Sequence, residues 1–341
     1  MSKKIIIHIG SEKTATTYIQ NFLSVNRNTL LKTGVYYPKT SFGEHAQFSL
    51  VAALHEIDHG RPLEFSPPGN YTIESEWHPL IDEFNSRSDV HTMLLSAEHF
   101  SSRLRDGGLK KLGGILSLMK DASVEILYYF RRQDDYFESW YSTHIKAGGI
   151  SSLEASYNSL LRNEWFFDNS FIVSKWAEYI RGAKIIVRPY DLVKHNPGVL
   201  KDFLNVVGIE YSDEFILPIL EKNESWRPEM LALGRFLNKH KAEELGSDRY
   251  KILSYINSLA YRNKSTSYQL LSTEKRKEIL SMYHDVNLNF YRKAGLSSEV
   301  LNQLTSIKEN QEILSPDDIE IVDSEVVSII LSMARNMSLN S

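Results

Sequence analysis

Lys13 is the first residue whose setting suggests chemistry. It stands in Gly10-Ser11-Glu12-Lys13-Thr14-Ala15-Thr16-Thr17, a turn rich in small hydroxyl residues. The turn follows the β-branched run Lys4–Ile9 and precedes a segment with helical spacing. A strand that feeds a helix through such a turn leaves backbone N–H groups at the helix N-terminus, aimed at one point. A movable ammonium on Lys13 and hydroxyls on Thr14, Thr16 and Thr17 would complete a site for a phosphate- or sulfate-like anion. The plainer reading is a capped strand–turn–helix connection with Thr16 as N-cap and a solvated lysine.

A second group follows the run Val124–Phe130. Arg131 closes that run, and Ser139 comes eight residues later, one or two turns into the next helical stretch. Ligands of parallel α/β sheets bind at the carboxyl ends of strands, and the planar fork of arginine grips phosphate oxygens in pairs. The alternative is a solvated Arg131-Arg132 pair bridged to Asp134 or Asp135. A third run, Ile185–Arg188, ends in Pro189-Tyr190-Asp191-Leu192.

The nucleotide P-loop G-x-x-x-x-G-K-[ST] is absent, because Glu12 precedes Lys13 and Gly10 lies three positions before the lysine. Lys13-Thr14-Ala15-Thr16-Thr17 instead resembles the Lys-[Ser/Thr]-Gly-Thr-Thr loop of the sulfotransferases, and Arg131 with Ser139 resembles that family's 3′-phosphate motif. The segment around Tyr190 is similar to the family's strand-Tyr-Glu-Asp-Leu stretch, and the three matches span roughly residues 4–210. The resemblance implies a soluble, bacterial-type enzyme that moves a sulfuryl group from 3′-phosphoadenosine 5′-phosphosulfate to a hydroxyl acceptor. The acceptor it implies is a glycan, a glycolipid or a small hydroxyl compound. The implied cofactor-binding residues are Gly10, Lys13, Thr14, Ala15, Thr16 and Thr17 for the 5′ end, Arg131 and Ser139 for the 3′-phosphate, and Tyr190 for the adenine. Ala15 stands where the family usually has glycine; if that position needs φ > 0, the methyl costs about 1 kcal/mol.

Sulfuryl transfer needs in-line positioning, charge stabilisation of the departing phosphate and a base for the acceptor proton. Lys13 is the natural partner of the leaving oxygen, and no metal-ligand spacing stands out. Two Glu-His pairs follow predicted strands, Glu44-His45 and Glu98-His99. The resemblance points to both places, a histidine after the third strand in one branch and a glutamate after the second in another. Glu98 and His99 rank first because the third strand is expected nearer the sheet centre. Two other readings remain open, a P-loop kinase or nucleotide hydrolase and a non-catalytic nucleotide-binding protein.

The elements that must hold these residues alternate. Strands are expected at Lys4–Ile9, Val35–Tyr37, His91–Ser96, Val124–Phe130 and Lys184–Arg188. Helices are expected at Thr16–Leu31, Phe48–Leu54, Leu109–Met119, Asp135–Ala147, Phe171–Ile180 and Pro197–Val207. Such alternation predicts an α/β, P-loop-like three-layer fold, a central parallel sheet flanked by helices. The Pro- and Gly-rich stretch Asp58–Asn70 reads as a surface loop, and a lid is one use for it. After Ser212 the spacing is helical at Pro228–His240, Ser247–Tyr261 and Ser272–Tyr291, with no strand expected. The implied organisation is one domain over residues 1–295, with a cofactor core to about 210, a helical part over 211–295, and an appendage over 296–341.

Composition narrows the field further. The 341 residues include 42% hydrophobic and 24% charged, close to the globular average. The absence of cysteine excludes disulfides, thiolate metal sites and a cysteine nucleophile, and fits a reducing cytoplasm. A net charge of −4 gives no general pull toward nucleic acid, so an anion site must be local. No run approaches the length needed for stable membrane insertion. Trp77, Trp140, Trp165 and Trp226 lie near expected loops or helix starts, where they would pack or stack on sugar rings. Self-association through the C-terminal helices is a further expectation.

Overall fold

A computed structural model describes residues 3–119, 121–218, 226–240, 251–255, 268–307 and 312–321. Two compact units divide the chain. One comprises Met1–Arg131, Glu164–Leu220 and Val286–Leu296, and the other comprises Arg132–Asn163, Glu221–Asp285 and Ser297–Ser341.

The first unit is built on a five-stranded sheet of β1 (Lys3–Gly10), β2 (Val35–Tyr36), β3 (Thr92–Ser96), β4 (Ala122–Phe130) and β5 (Lys184–Pro189). Every pairing is parallel, and the order is β2-β3-β1-β4-β5. The expected parallel α/β architecture is therefore what the chain adopts. β1 is central, with Ile6 level with Leu94 of β3 and Glu125 of β4. Its neighbours are reached by connections running to opposite sides, so its carboxyl end opens a crevice of the kind that binds ligands in such sheets.

Alternation sorts the strands' side chains between two faces. Ile6, Leu94, Leu127 and Tyr129 share one core with Ile19, Phe22 and Leu23 of α1 (Thr16–Val25). Phe203 and Leu204 of α12 (Val199–Val207) join that core. Ile5, Ile7, Met93, Leu95 and Ile126 alternate with these and are equally buried. On their side the Tyr128 hydroxyl donates to Asn169 at 2.8 Å, at the start of α10 (Asn169–Tyr179). Burial on both faces is why β1 reads as an apolar run from Ile5 to Ile9 broken only by His8. An ion pair between Arg188 and Asp202, with the Tyr129 hydroxyl donating to the same carboxylate at 2.7 Å, ties β4 and β5 to α12.

Several boundaries differ from expectation for identifiable reasons. The helix expected over Thr16–Leu31 breaks at Asn26 into α1 and α2 (Arg27–Lys32). The buried Asn26 amide donates to the carbonyls of Phe22 and Ile216 and accepts from Ile216 N–H, each at 2.8 Å. That side chain serves as a loop tie, at a position where helical spacing alone predicts continuity. The helices around the proline-rich loop are α3 (Phe48–His59) and α4 (Ile73–Ser86). No helix is expected at α4 from apolar spacing, yet Thr72 and Ser75 form a capping box at its start. Trp77 of α4 is fully buried and its indole donates to the Leu50 carbonyl at 3.0 Å, so it packs and offers no platform for a sugar.

The second unit contains α7 (Gln133–Lys146), α8 (Leu153–Leu160), α13 (Pro228–His240) and a further helix, α14 (Thr273–Met282). Trp226 is buried there. The helix expected over Ser272–Tyr291 ends at Met282, and another, α15 (His284–Lys293), begins after Tyr283. Tyr283 turns inward, where its hydroxyl donates to the Leu161 carbonyl. The expectation of no strand beyond Ser212 is corrected by β6 (Tyr268–Gln269) pairing in parallel with β7 (Glu312–Ile313). Two-residue strands are defined by their partner and leave no periodicity to read. Most of the helix expected at Ser247–Tyr261 lies outside the described residues, which are helical at 251–255. The expected appendage includes α16 (Ser298–Thr305) among its described residues. No helix among the described residues is long and apolar enough to cross a membrane.

His8 of β1 is fully buried, with Nδ1 2.8 Å from the Ser96 hydroxyl, and burial pushes its pKa down to about 3. The folded chain thus holds a neutral ring, while the unfolded chain protonates it below its ordinary value near 6.5. Its contribution is intact above pH 6.5 and is lost as pH falls from there toward 3. The slope from this residue is up to about 1.4 kcal/mol per pH unit. Urea unfolding at pH 7 and pH 5 should show a steeper loss for the wild type than for His8→Gln.

Candidate functional site

Between β1 and α1 the chain adopts an unusual backbone. Gly10, Lys13 and Ala15 have φ of 89°, 64° and 59°. Left-handed residues on either side of Thr14 turn successive amides toward a common concavity, a geometry that binds anions. Ala15 is the N-cap of α1, and no side chain caps that helix. Among the described residues no backbone carbonyl accepts from the N–H groups of Lys13, Thr14, Ala15, Thr16 or Thr17. The ordinary capped turn with Thr16 as N-cap is therefore not what forms. The buried Thr14 hydroxyl donates to the Ser11 carbonyl at 2.6 Å, so it braces the loop and is not free for a ligand. Thr16 is buried and Thr17 is exposed on the first turn of α1.

Lys13 sits mostly buried in this loop. Desolvation lowers the pKa of its ammonium, Glu12 and Glu98 oppose that shift, and Arg131 adds to it. Glu12, the residue that replaces the P-loop glycine, pairs with Arg103 at 3.4 Å. That pairing offsets a negative charge which would otherwise repel an anion. Arg131 reaches back from the end of β4, donating to the Lys13 carbonyl at 3.4 Å and pairing with Asp191 at 3.3 Å. Its guanidinium lies 5.5 Å from the centre of the Tyr190 ring, and Lys194 shares Asp191 at 3.1 Å. Lys13, Arg131 and Tyr190 thus converge at the carboxyl ends of β1, β4 and β5.

Glu98 and His99 join this group from the end of β3. A Cβ added to Gly10 would stand 2.9 Å from Cβ of Glu98, so Glu98 lies directly against the loop. Only glycine allows that approach at φ 89°. Glu98 accepts from the Gln20 amide at 2.8 Å, and its other oxygen is 3.9 Å from His99 Nδ1. The His99 ring packs against Phe48 and Phe65, centroids 4.9 and 4.5 Å away. Desolvation lowers its pKa, opposed first by Glu98 and then by Glu12. Phe65 belongs to the proline-rich loop, which places an exposed apolar ring beside His99.

Glu44 and His45 occupy different surroundings. The Glu44 carboxylate is exposed and its carbonyl accepts from Arg27 at 3.2 Å, while His45 lies 2.6 Å from the Ser24 hydroxyl. His45 thus sits against the far end of α1, and Glu44 against the start of α2. Ser139 is half-buried on α7 of the second unit, and its carbonyl accepts from Thr143 at 3.2 Å. Arg132, also in the second unit, makes the expected bridge to Asp134 at 2.7 Å, but it is buried there and not solvated. Trp165 carries the Arg105 guanidinium 4.7 Å from its ring centre, and Trp140 stacks on His144.

Sequence reading passed over Gln20, Arg103 and Asp191. Gln20 falls four residues after Thr16, on the helix face that turns inward with Ile19 and Leu23. A polar residue on an apolar stripe was the signal that it has a buried partner.

No protein-family model matches the chain. It is 28% identical over 200 residues to an uncharacterized protein of Archaeoglobus fulgidus, covering 58% of this chain and half the length of that relative. Among solved structures it is similar to a sulfotransferase from Alicyclobacillus acidocaldarius. That match has a TM-score of 0.40 and 16% identity, over 77% of this chain and 100% of that one. It is similar also to the sulfotransferase domain from the curacin biosynthetic pathway, with a TM-score of 0.35 and 11% identity over 83% and 98% of the two chains.

Ala15 holds φ 59° and ψ 27°, where a Cβ is strained. Ala15→Gly removes that strain and loosens the unfolded chain, so a net gain of about 0.5–1 kcal/mol is expected. Urea denaturation should show it as a higher midpoint at unchanged slope, and Ala15→Val should shift the midpoint the other way.

Proposed function

We propose that the protein transfers a sulfuryl group from 3′-phosphoadenosine 5′-phosphosulfate to a hydroxyl acceptor. The observation that carries this reading is one cluster. An amide-lined loop with a half-buried lysine stands directly against a carboxylate–histidine pair at the adjacent strand end. The amides of residues 13–17 suit the sulfated 5′ end of the donor, whose charge Lys13 would meet. Arg131 beside Tyr190 offers a guanidinium for the 3′-phosphate and a ring for the base.

In the proposed reaction the acceptor oxygen attacks sulfur while its proton passes to Glu98. The bond between sulfur and the 5′-phosphate oxygen breaks, and the departing phosphate keeps the electron pair. Lys13 and the loop amides stabilise that developing charge because they are already oriented. His99, neutral near pH 7 because burial lowers its pKa, can accept a hydrogen bond from the acceptor or take the proton itself. Glu44 and His45 remain the alternative source of the base, with the exposure of Glu44 counting against them. Phe65 and Phe48 beside His99 make the wall on which an acceptor's apolar face would rest.

A kinase or nucleotide hydrolase would use the same loop for a triphosphate, and ligand preference separates the readings. 3′-Phosphoadenosine 5′-phosphate should raise the melting temperature where ATP with Mg²⁺ does not. Lys13→Met should weaken that ligand by tenfold or more, since a hydrogen bond to a charged group is worth about 1.5–3 kcal/mol. Transfer of radiolabelled sulfate from the donor into an extract of the source cell tests the reaction itself. Glu98→Gln or His99→Ala should slow it by about 10²–10⁴. Normal transfer by both variants moves the base to Glu44 and His45, and stabilisation by ATP alone overturns the donor.

A further inference from the structure

We infer that Gln20 is a positioning residue for Glu98, and that a buried chain from Gln20 through Ser96 to His8 fixes its carboxylate against the anion loop. The inference rests on Glu98 as the base proposed above, but its geometry stands without that role. Gln20 is 3% exposed, and its amide nitrogen lies 2.8 Å from one Glu98 oxygen and 3.4 Å from the Ser96 hydroxyl. Ser96 is fully buried at the end of β3, and its hydroxyl is 2.8 Å from His8 Nδ1.

Each member is anchored by something other than its neighbour in the chain. The Ser96 N–H donates to the Gln47 side-chain oxygen at 2.7 Å, and the Gln47 amide donates to the Pro38 carbonyl at 3.0 Å. His8 is held edge-on between Tyr129 and Phe203, centroids 5.6 and 5.4 Å away. Gln20 is carried by α1, whose first turn is the anion loop's own exit. One helix therefore carries both the last two loop amides, those of Thr16 and Thr17, and the donor that orients the carboxylate. A shift of α1 that spoiled one would spoil the other.

The amide bond fixes which Glu98 oxygen is occupied. Gln20 engages Oε2, while Oε1 lies on the side of His99, 3.9 Å from its Nδ1. A carboxylate with one oxygen tied and the other directed has a single orientation from which to take a proton. The groups that face Glu98 or its partner His99 are Lys13 and Glu12 from the loop, His99 and Arg103 from α5 (His99–Arg103), and Tyr37 after β2. His99 Nδ1, at 3.9 Å, is too far to hydrogen-bond the carboxylate, whereas the neutral Gln20 amide donates to it at 2.8 Å.

The test titrates Glu98 directly by carbon-13 NMR of labelled glutamate carboxyls, with Glu98→Gln used to assign its signal. Gln20→Met keeps the side chain's length but removes a donor to the charged form, so the Glu98 midpoint should rise. Gln20→Glu keeps the shape, sets a second carboxyl at Oε2 and should raise the midpoint further. It also carries the test if Gln20→Met fails to fold by circular dichroism. In the sulfate-transfer assay kcat should fall roughly tenfold with donor KM unchanged, and the rising limb of the pH profile should move by the same amount as the NMR midpoint. An unmoved midpoint in a folded Gln20 variant overturns the positioning role. A moved midpoint with no sulfate transfer by the wild type leaves that role in place and overturns the proposed reaction.

Discussion

The turn out of β1 has to leave a fully buried strand and start a helix while its amide hydrogens face one small region. The chain does this by alternating handedness: Gly10 takes positive φ freely, and the L-residues Lys13 and Ala15 hold it as well. Such a path is unfavourable without support, because left-handed L-residues cost about 1–2 kcal/mol each. The support comes from within and from neighbours. Thr14 ties back to Ser11, Arg131 ties the Lys13 carbonyl to the end of β4, and Arg103 holds Glu12. The sheet order places those neighbours: β3 and β4 flank β1, so their carboxyl ends arrive on either side of the loop.

Electrostatics in this cluster are balanced locally and unevenly. Lys13, Arg131 and Lys194 stand close to Asp191, Glu12 and Glu98, which keeps charges in a partly buried region from being alone. The positive groups lie along the loop and the end of β4, whereas Glu98 approaches from β3. An anion on the loop and an acceptor proton beside Glu98 would therefore meet opposite fields a short distance apart. The chain's overall charge of −4 says nothing of this separation.

The motif-bearing elements were legible because they are long, buried on both faces or flanked by turn residues. β1, β4 and β5 stand where apolar runs indicate, and α3, α10 and α13 follow helical spacing. What escaped reading was set by side chains with remote partners. Asn26 ends α1 by bonding Ile216, 190 residues away. β6 and β7 exist only through each other, whereas α4 is the exception: its Thr72–Ser75 cap is local, within a stretch that also carries Pro79. Of the site, the loop and Arg131 were visible as types at strand ends and Asp191 only as the neighbour of Tyr190, whereas Gln20 was not.

Sequence alone determined the order of the five strands of the main sheet, the chemistry available without cysteine, and the residues that could meet an anion. Those follow from local periodicity and residue type, which need no partner to be read. Tertiary structure decided that Glu98 and His99, not Glu44 and His45, stand with Lys13 in the loop cluster. Both pairs follow strands and carry the same chemistry, so no local signal separates them. The separation comes from β3 pairing directly with β1 while β2 lies outside it, and from Gly10 having no side chain to keep Glu98 away.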